Sequence, residues 1–217
     1  MQEAYFKEIM EELKRLYPST DKTTLNRMRT KPDPFKVLIS CLLSLRARDE
    51  NTEKVSKKLF EVVNTPEQLV KIPIPKLEKI IFSSGHYKKK ARVLHSVSNE
   101  LITRFNSKVP DKKDELLSIK GIGPKTANIV LAFAFNKPVI PVDTHVHRIP
   151  NRLGWVQTKK PEQTEQELMK ILPKIYWADV NAIFVQFGRD ICQPVSPKCS
   201  TCPINKYCKK RGIIRSR

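Results

Sequence analysis

Ile119-Lys120-Gly121-Ile122-Gly123-Pro124-Lys125-Thr126-Ala127-Asn128 joins a short helical segment to a long apolar one. Glycine lacks a Cβ and reaches positive φ easily, so Gly121 and Gly123 let the backbone turn sharply and approach another chain closely. Pro124 suits the first position of a helix, where its missing N–H leaves nothing unpaired. The leading N–H groups of that helix, at the positive end of its dipole, suit an anion such as a phosphate, while Ile122 can tuck into the core. Gly-x-Gly alone supports a plain helix–helix turn equally well. The balance of the chain tips the reading: 41 Lys and Arg against 22 Asp and Glu give a net charge of +19, a field that attracts polyanions.

Outward from this phrase the chain reads as helix after helix. Tyr5, Phe6, Ile9, Met10, Leu13, Leu16 and Tyr17 recur at three- and four-residue spacing, one apolar stripe that Pro18 stops. Pro34 opens an apolar helix running to Leu45, polar only at Lys36, Ser40 and Ser44 and therefore central; Cys41 within it reads as a buried core thiol. Helices are expected over Asp49 to Val63, from Pro66 after Thr65, from Ile74-Pro75, and over Lys88 to Phe105 after Gly85. Others follow over Asp111 to Leu117, Pro124 to Phe135, Val146 to Leu153, Thr164 to Leu172 and Trp177 to Asp190. No alternating strand pair with a hairpin turn interrupts them, so the fold class is all-α. No apolar run approaches the ~20 residues a bilayer span requires, and the charged stretch Met1 to Tyr17 is not a secretory signal.

Cys192, Cys199, Cys202 and Cys208 lie in one proline-marked stretch with spacing C-x6-C-x2-C-x5-C. Four clustered thiolates are what a tetrahedral metal or a cubane iron–sulfur cluster needs. Two disulfides could use the same residues, but an intracellular chain seldom keeps them. Spacing alone leaves zinc and iron–sulfur both open. No Asp or Glu follows Asp190, whereas Lys198, Lys206, Lys209, Lys210, Arg211, Arg215 and Arg217 do, a basic loop that points to nucleic acid.

These residues carry a family resemblance. Ile119 to Asn128 resembles the helix–hairpin–helix of the endonuclease III family of DNA glycosylases. Val142-Asp143-Thr144-His145-Val146-His147-Arg148 resembles the loop that ends in that family's catalytic aspartate, and the cysteine spacing is similar to its [4Fe–4S] loop. The resemblance runs from Pro34 through Gly85-His-Tyr-Lys-Lys-Lys-Ala91 to Cys208. It implies a bilobal protein: a helical barrel over 26–137 containing the hairpin at about 111–135, and a second lobe of 1–25 with 138–217 carrying the cluster loop 192–208. It further implies a monomeric, cytoplasmic (nucleoid-associated if prokaryotic) base-excision-repair enzyme. Its substrate would be double-stranded DNA with damaged bases or abasic sites, from which it removes oxidised pyrimidines before cutting the strand by β-elimination.

Such chemistry needs a carboxylate to stabilise oxocarbenium charge and an amine to form a Schiff base that acidifies the C2′ proton. By position in the family motifs, Lys125 is the candidate nucleophile and Asp143 the carboxylate. Lys125 could instead be one more phosphate-binding or solvated lysine, and Asp143 has the residue type of a helix N-cap, a role compatible with catalysis. Gly121, Ile122, Gly123, Lys198 and His145 are the candidate DNA contacts, although a structural role for His145 and His147 is an equal expectation. The run Lys88-Lys89-Lys90 is either a solvated face or a DNA-backbone contact. Arg46 stands where bacterial members carry a glutamine that fills the hole left by a flipped nucleotide, and its different donor pattern bears on opposite-base preference.

Overall fold

The computed structural model describes residues 2–17, 32–45, 47, 49–177 and 179–217, and all regular elements among them are helical. Pro18 and Arg46 lie outside the described residues. The chain divides into two compact units, Asp21–Lys137 and Met1–Thr20 with Pro138–Arg217. Among the described residues no helix is long and apolar enough to cross a membrane.

In the unit Asp21–Lys137, helix α2 (Pro34–Ser44) starts where the Asp33 side chain accepts from the Lys36 amide at 3.1 Å, with Pro34 in the first turn. Every residue from Phe35 to Leu43 except Lys36 is buried, so this helix is the centre of the unit. It packs on α3 (Asp49–Phe60), α6 (Tyr87–Phe105) and α8 (Pro124–Ala134), each of which turns an apolar face inward. The short α4 (Pro66–Val70) and α5 (Ile74–Ile80) lie against α6, and α7 (Lys113–Leu117) against α8. Thr65 caps α4 as expected, accepting from the Gln68 amide at 3.3 Å. Helix α5 has no side-chain cap, because Pro73 precedes it and Pro75 sits inside its first turn.

Lys90 departs from the reading of its run as a surface face. It is buried on α6, and its ammonium donates to the carbonyls of Leu43 and Ser84, both at 2.6 Å. It thereby ties the last turn of α2 to the 3-10 turn Phe82–Ser84. Burial pushes its pKa down to about 8.

The other unit is built around α9 (Thr144–Leu153), α10 (Pro161–Ile171) and α11 (Val180–Asp190), with α1 (Gln2–Leu16) packed on α11. Helix α10 starts three residues before the expected Thr164, at Pro161, because Gln163 reaches back to the Lys160 amide and completes the first turn. Phe6, Ile9, Met10 and Leu13 of the α1 stripe enter one core with Ile149 and Phe184, while Leu16 emerges at the surface. Each such buried side chain contributes roughly 1.5–3 kcal/mol, which fixes α1 against the last third of the chain. Tyr5 Oη donates to the Tyr207 carbonyl at 2.9 Å, and Tyr207 Oη donates to Glu8 at 2.7 Å, so α1 also holds the cysteine loop.

Candidate catalytic and cofactor site

The hairpin between α7 and α8 is buckled from behind by α6. Arg104 donates to the Ser118 hydroxyl at 2.8 Å and carbonyl at 3.2 Å, and Glu100 accepts from the Lys120 amide at 3.1 Å. Ile119 and Ile122 are buried, so any contact Ile122 makes with DNA is through its backbone. The two glycines differ. Gly121 has φ +103°, and a Cβ there would meet the Val93 side chain at 3.0 Å, so the turn and its packing on α6 both require glycine. Gly123 is extended (φ −98°, ψ 173°) and a Cβ would meet nothing within 4 Å. The expectation that both glycines adopt positive φ therefore fails at Gly123, whose bare surface is available to an approaching chain instead.

Lys125 occupies the first turn of α8, half-buried, directly after Pro124. Its flank faces α2. Burial drives the Cys41 thiol up to about 11, while the Lys125 charge and the Thr126 hydroxyl pull the other way. Cys41 is the protonated core thiol that its apolar surroundings imply.

In the other unit Asp143 caps α9. Its Oδ1 accepts from the amides of His145 at 2.8 Å and Val146 at 2.9 Å. The loop ahead of it is held by Asn181, whose amide donates to the Pro141 carbonyl at 2.9 Å. His145 Nδ1 lies 3.1 Å from Arg148 Nη2, and because a guanidinium only donates, Nδ1 is the acceptor and the ring proton sits on Nε2. The imidazole packs on Gly188 of α11, where a Cβ would come within 2.3 Å of Nδ1. His147 is structural: its Nδ1 meets the buried Thr164 hydroxyl at 2.6 Å, inside a network with Thr158 and Asn151.

Arg148 and Arg152, which sequence reasoning passed over, link this helix to the cysteines. Arg148 donates from Nε and Nη2 to the Cys192 carbonyl at 3.2 and 2.9 Å, and from Nη2 to the Gly188 carbonyl at 3.3 Å. Burial lowers its pKa against the opposing charge of Cys192. Arg152 is buried, donates to the carbonyls of Gln193 at 2.6 Å and Pro194 at 2.7 Å, and places Nη1 at 3.4 Å from Cys192 Sγ. Their four-residue spacing on one helix face was visible, but nothing in the sequence said which loop that face would meet.

Cys192, Cys199, Cys202 and Cys208 line one largely apolar cavity together with Ile149, Phe187 and Ile213. Burial raises the Cys202 thiol to about 11 and that of Cys208 in the same direction, and the other cysteines add to both. The Lys210 amide points at Cys208 Sγ at 3.4 Å. Four soft ligands around an apolar cavity, with N–H donors on two sulfurs and two cationic side chains at hand, fit a thiolate-bound inorganic cluster of net negative charge. Among the described residues no three His, Cys, Asp or Glu side chains converge closely enough to chelate a single ion. Lys198 borders the cavity, with its amide fixed to the Ile191 carbonyl at 3.0 Å.

The family described as HhH-GPD superfamily base excision DNA repair protein matches residues 39–174. Endonuclease III of Thermotoga maritima is 46% identical over 215 residues, 97% of each chain. A trapped endonuclease III–DNA covalent intermediate superposes with TM-score 0.82 at 35% identity, covering 94% of this chain and 96% of that one. A thermostable thymine-DNA glycosylase has the same fold, with TM-score 0.83 at 23% identity over 95% and 96% of the two chains.

Proposed function

The chain belongs to the HhH-GPD superfamily and, within it, to the endonuclease III family, and from that premise we propose how its residues divide the work. The protein is a base-excision-repair DNA glycosylase and abasic-site lyase acting on damaged duplex DNA. Oxidised pyrimidines are the proposed lesions, and the chromosome in the cytoplasm, or the nucleoid of a prokaryotic cell, is the proposed place of action.

Lys125 is the nucleophile. Its amine attacks C1′ as the C1′–N bond to the damaged base breaks and the base leaves with the bonding pair. Ring opening gives a Schiff base between Nζ and C1′. That iminium draws electrons from the C2′–H bond; the C2′ proton is lost and the 3′ phosphate departs, which completes β-elimination. Asp143 stabilises the positive charge that develops on the sugar. Its capping bonds leave the negative charge of the carboxylate in place, so the cap and an electrostatic role are compatible. Gly121 to Gly123, Lys198 and His145, with its proton on Nε2, are the proposed phosphate contacts. Arg46 is proposed to fill the space of the flipped nucleotide.

The four cysteines are the proposed ligands of the family's [4Fe–4S] cluster, which supplies a structural staple when bound, since neither hydrolysis nor elimination transfers an electron. The sulfur-directed donors of Arg152 and Lys210 support a thiolate-bound inorganic group at these four residues.

The observation that carries the nucleophile assignment is the likeness to a trapped covalent DNA complex together with the place of Lys125 in the first turn behind the hairpin. Lys125→Gln is expected to abolish borohydride-trappable DNA complexes while leaving duplex binding nearly intact. Undiminished trapping would remove Lys125 from the mechanism.

A further inference from the structure

Residues beyond Cys208 do not trail away from the cysteine loop; they return to it. Lys210 and Gly212 adopt positive φ (53° and 68°), and the Ile213 amide closes a turn on the Lys210 carbonyl at 3.2 Å. The Arg211 amide donates to the Arg152 carbonyl at 3.1 Å, and Ile213 then becomes part of the cavity wall beside the four cysteines. At Arg217 the segment meets the stretch between the first two ligands. The Arg217 amide donates to the Pro197 carbonyl at 2.8 Å, and its own carbonyl accepts from the Ser200 amide at 2.9 Å. Its guanidinium donates from Nε to the Ser196 carbonyl at 3.2 Å and from Nη2 to Gln193 Oε1 at 2.7 Å. Gln193 in turn donates to the Arg189 carbonyl at 3.0 Å, at the end of α11.

The Lys198 amide anchors the far end of this loop on the Ile191 carbonyl, but the middle of the loop is exposed. Val195 is 83% exposed, Ser196 takes a left-handed conformation (φ 49°), and Pro194 and Pro197 remove two amides from its inventory. A mobile loop here would open the cavity wall between Cys192 and Cys199. Arg217 reaches it from one side and Arg152, through the carbonyls of Gln193 and Pro194, from the other.

We propose that the segment Gly212–Arg217 is part of the cofactor-binding site. Ile213 closes the cavity and Arg217 clamps the Cys192–Cys199 loop over the bound cluster, so this segment sets how firmly the cluster is retained. The proposal rests on the iron–sulfur reading of the four cysteines. Its charge is secondary: Arg215, two residues before the clamp, makes none of these bonds.

The test uses the purified full-length holo-protein and three variants: a chain ended at Gly212, Arg217→Ala and Arg215→Ala. Iron per chain is measured first, then the rate at which iron passes to an excess of chelator, followed as loss of the visible absorption. Removing the four hydrogen bonds of Arg217 together with the Ile213 wall is expected to speed iron release roughly tenfold or more, and removing the two side-chain bonds of Arg217 roughly threefold to tenfold. Arg215→Ala is expected to release iron at the full-length rate while lowering the salt dependence of DNA binding. Equal release from the full-length chain and both clamp variants overturns the proposal, and so does an Arg215→Ala variant as leaky as Arg217→Ala, which would make the effect one of charge. A shortened chain that purifies without iron, beside an Arg217→Ala variant with accelerated release, supports it. A full-length protein that holds no iron overturns the cofactor reading itself, and the clamp with it.

Discussion

Replacing Gly123 by alanine separates binding from folding at the hairpin. The residue is extended and a Cβ there touches nothing within 4 Å, so no backbone strain and no clash arise. Alanine is a poorer N-cap than glycine by up to about 1 kcal/mol, but it returns roughly 0.4–1 kcal/mol by restricting the unfolded chain. Fold stability is therefore expected to stay nearly constant. If a DNA phosphate seats on the first turn of α8, the new methyl stands in its approach. Losing one charge-assisted hydrogen bond of roughly 1.5–3 kcal/mol weakens binding by about tenfold or more, whatever the lesion. Gly121→Ala behaves oppositely. Its φ of +103° and the 3.0 Å contact with Val93 predict a loss of about 1–3 kcal/mol, and so a melting point lower by roughly 2–12 °C. The assay pairs thermal unfolding by circular dichroism with fluorescence anisotropy on an abasic-site duplex at fixed salt. A Gly123→Ala protein that melts normally and still binds with wild-type affinity would refute phosphate binding at this turn.

Asp143→Asn keeps an oxygen for the His145 and Val146 amides, so melting should hardly move while base excision slows roughly a hundredfold and cleavage of a pre-formed abasic site slows far less. Wild-type excision at unchanged melting would leave Asp143 only its cap. Lys90 carries a folded-state pKa near 8 against an ordinary value of 10.5, so the unfolded chain binds more protons between those limits and this group makes the fold gain stability as pH rises through the window. The stability difference between wild type and Lys90→Met should thus shift in favour of wild type from pH 8 to about 10.5, and a constant difference would contradict the burial of the charge. Lys198→Ala should weaken binding to every lesion alike and reduce the salt slope of log affinity by about one, as loss of one phosphate contact requires; an effect confined to one lesion would reassign it.

The sequence made the helices legible because their signals are local. Apolar spacing, the helix-opening Pro34, Thr65-Pro66 and the Gly-x-Gly phrase each depend on residues within a turn of one another. The four cysteines were equally plain, since spacing alone marks them. What stayed hidden depends on partners distant in the chain. Lys90 looked like its exposed neighbours Lys88 and Lys89 until the carbonyls of Leu43 and Ser84 were seen to receive it. Arg148 and Arg152 are two cations among 41 until the loop after Cys192 folds over them. The glycines of the hairpin read alike, yet only Gly121 lies against α6, and no local pattern announces that neighbour.

The bond from Tyr5 to the carbonyl of Tyr207 joins residues 202 positions apart, and it lies in a unit assembled from both ends of the sequence. The intervening unit is contiguous. On a ribosome adding about 5–20 residues per second, Tyr5 waits roughly 10 to 40 seconds for its partner to be synthesised. Asp21–Lys137 can consolidate meanwhile, whereas the apolar stripe of α1 must be kept from wrong partners until Phe184, Phe187 and the cysteine loop emerge. The cysteine loop can therefore close against α1 only after Cys208 has emerged, and a chain cut short before α11 should keep a sound Asp21–Lys137 unit while the stripe of α1 is left without its core.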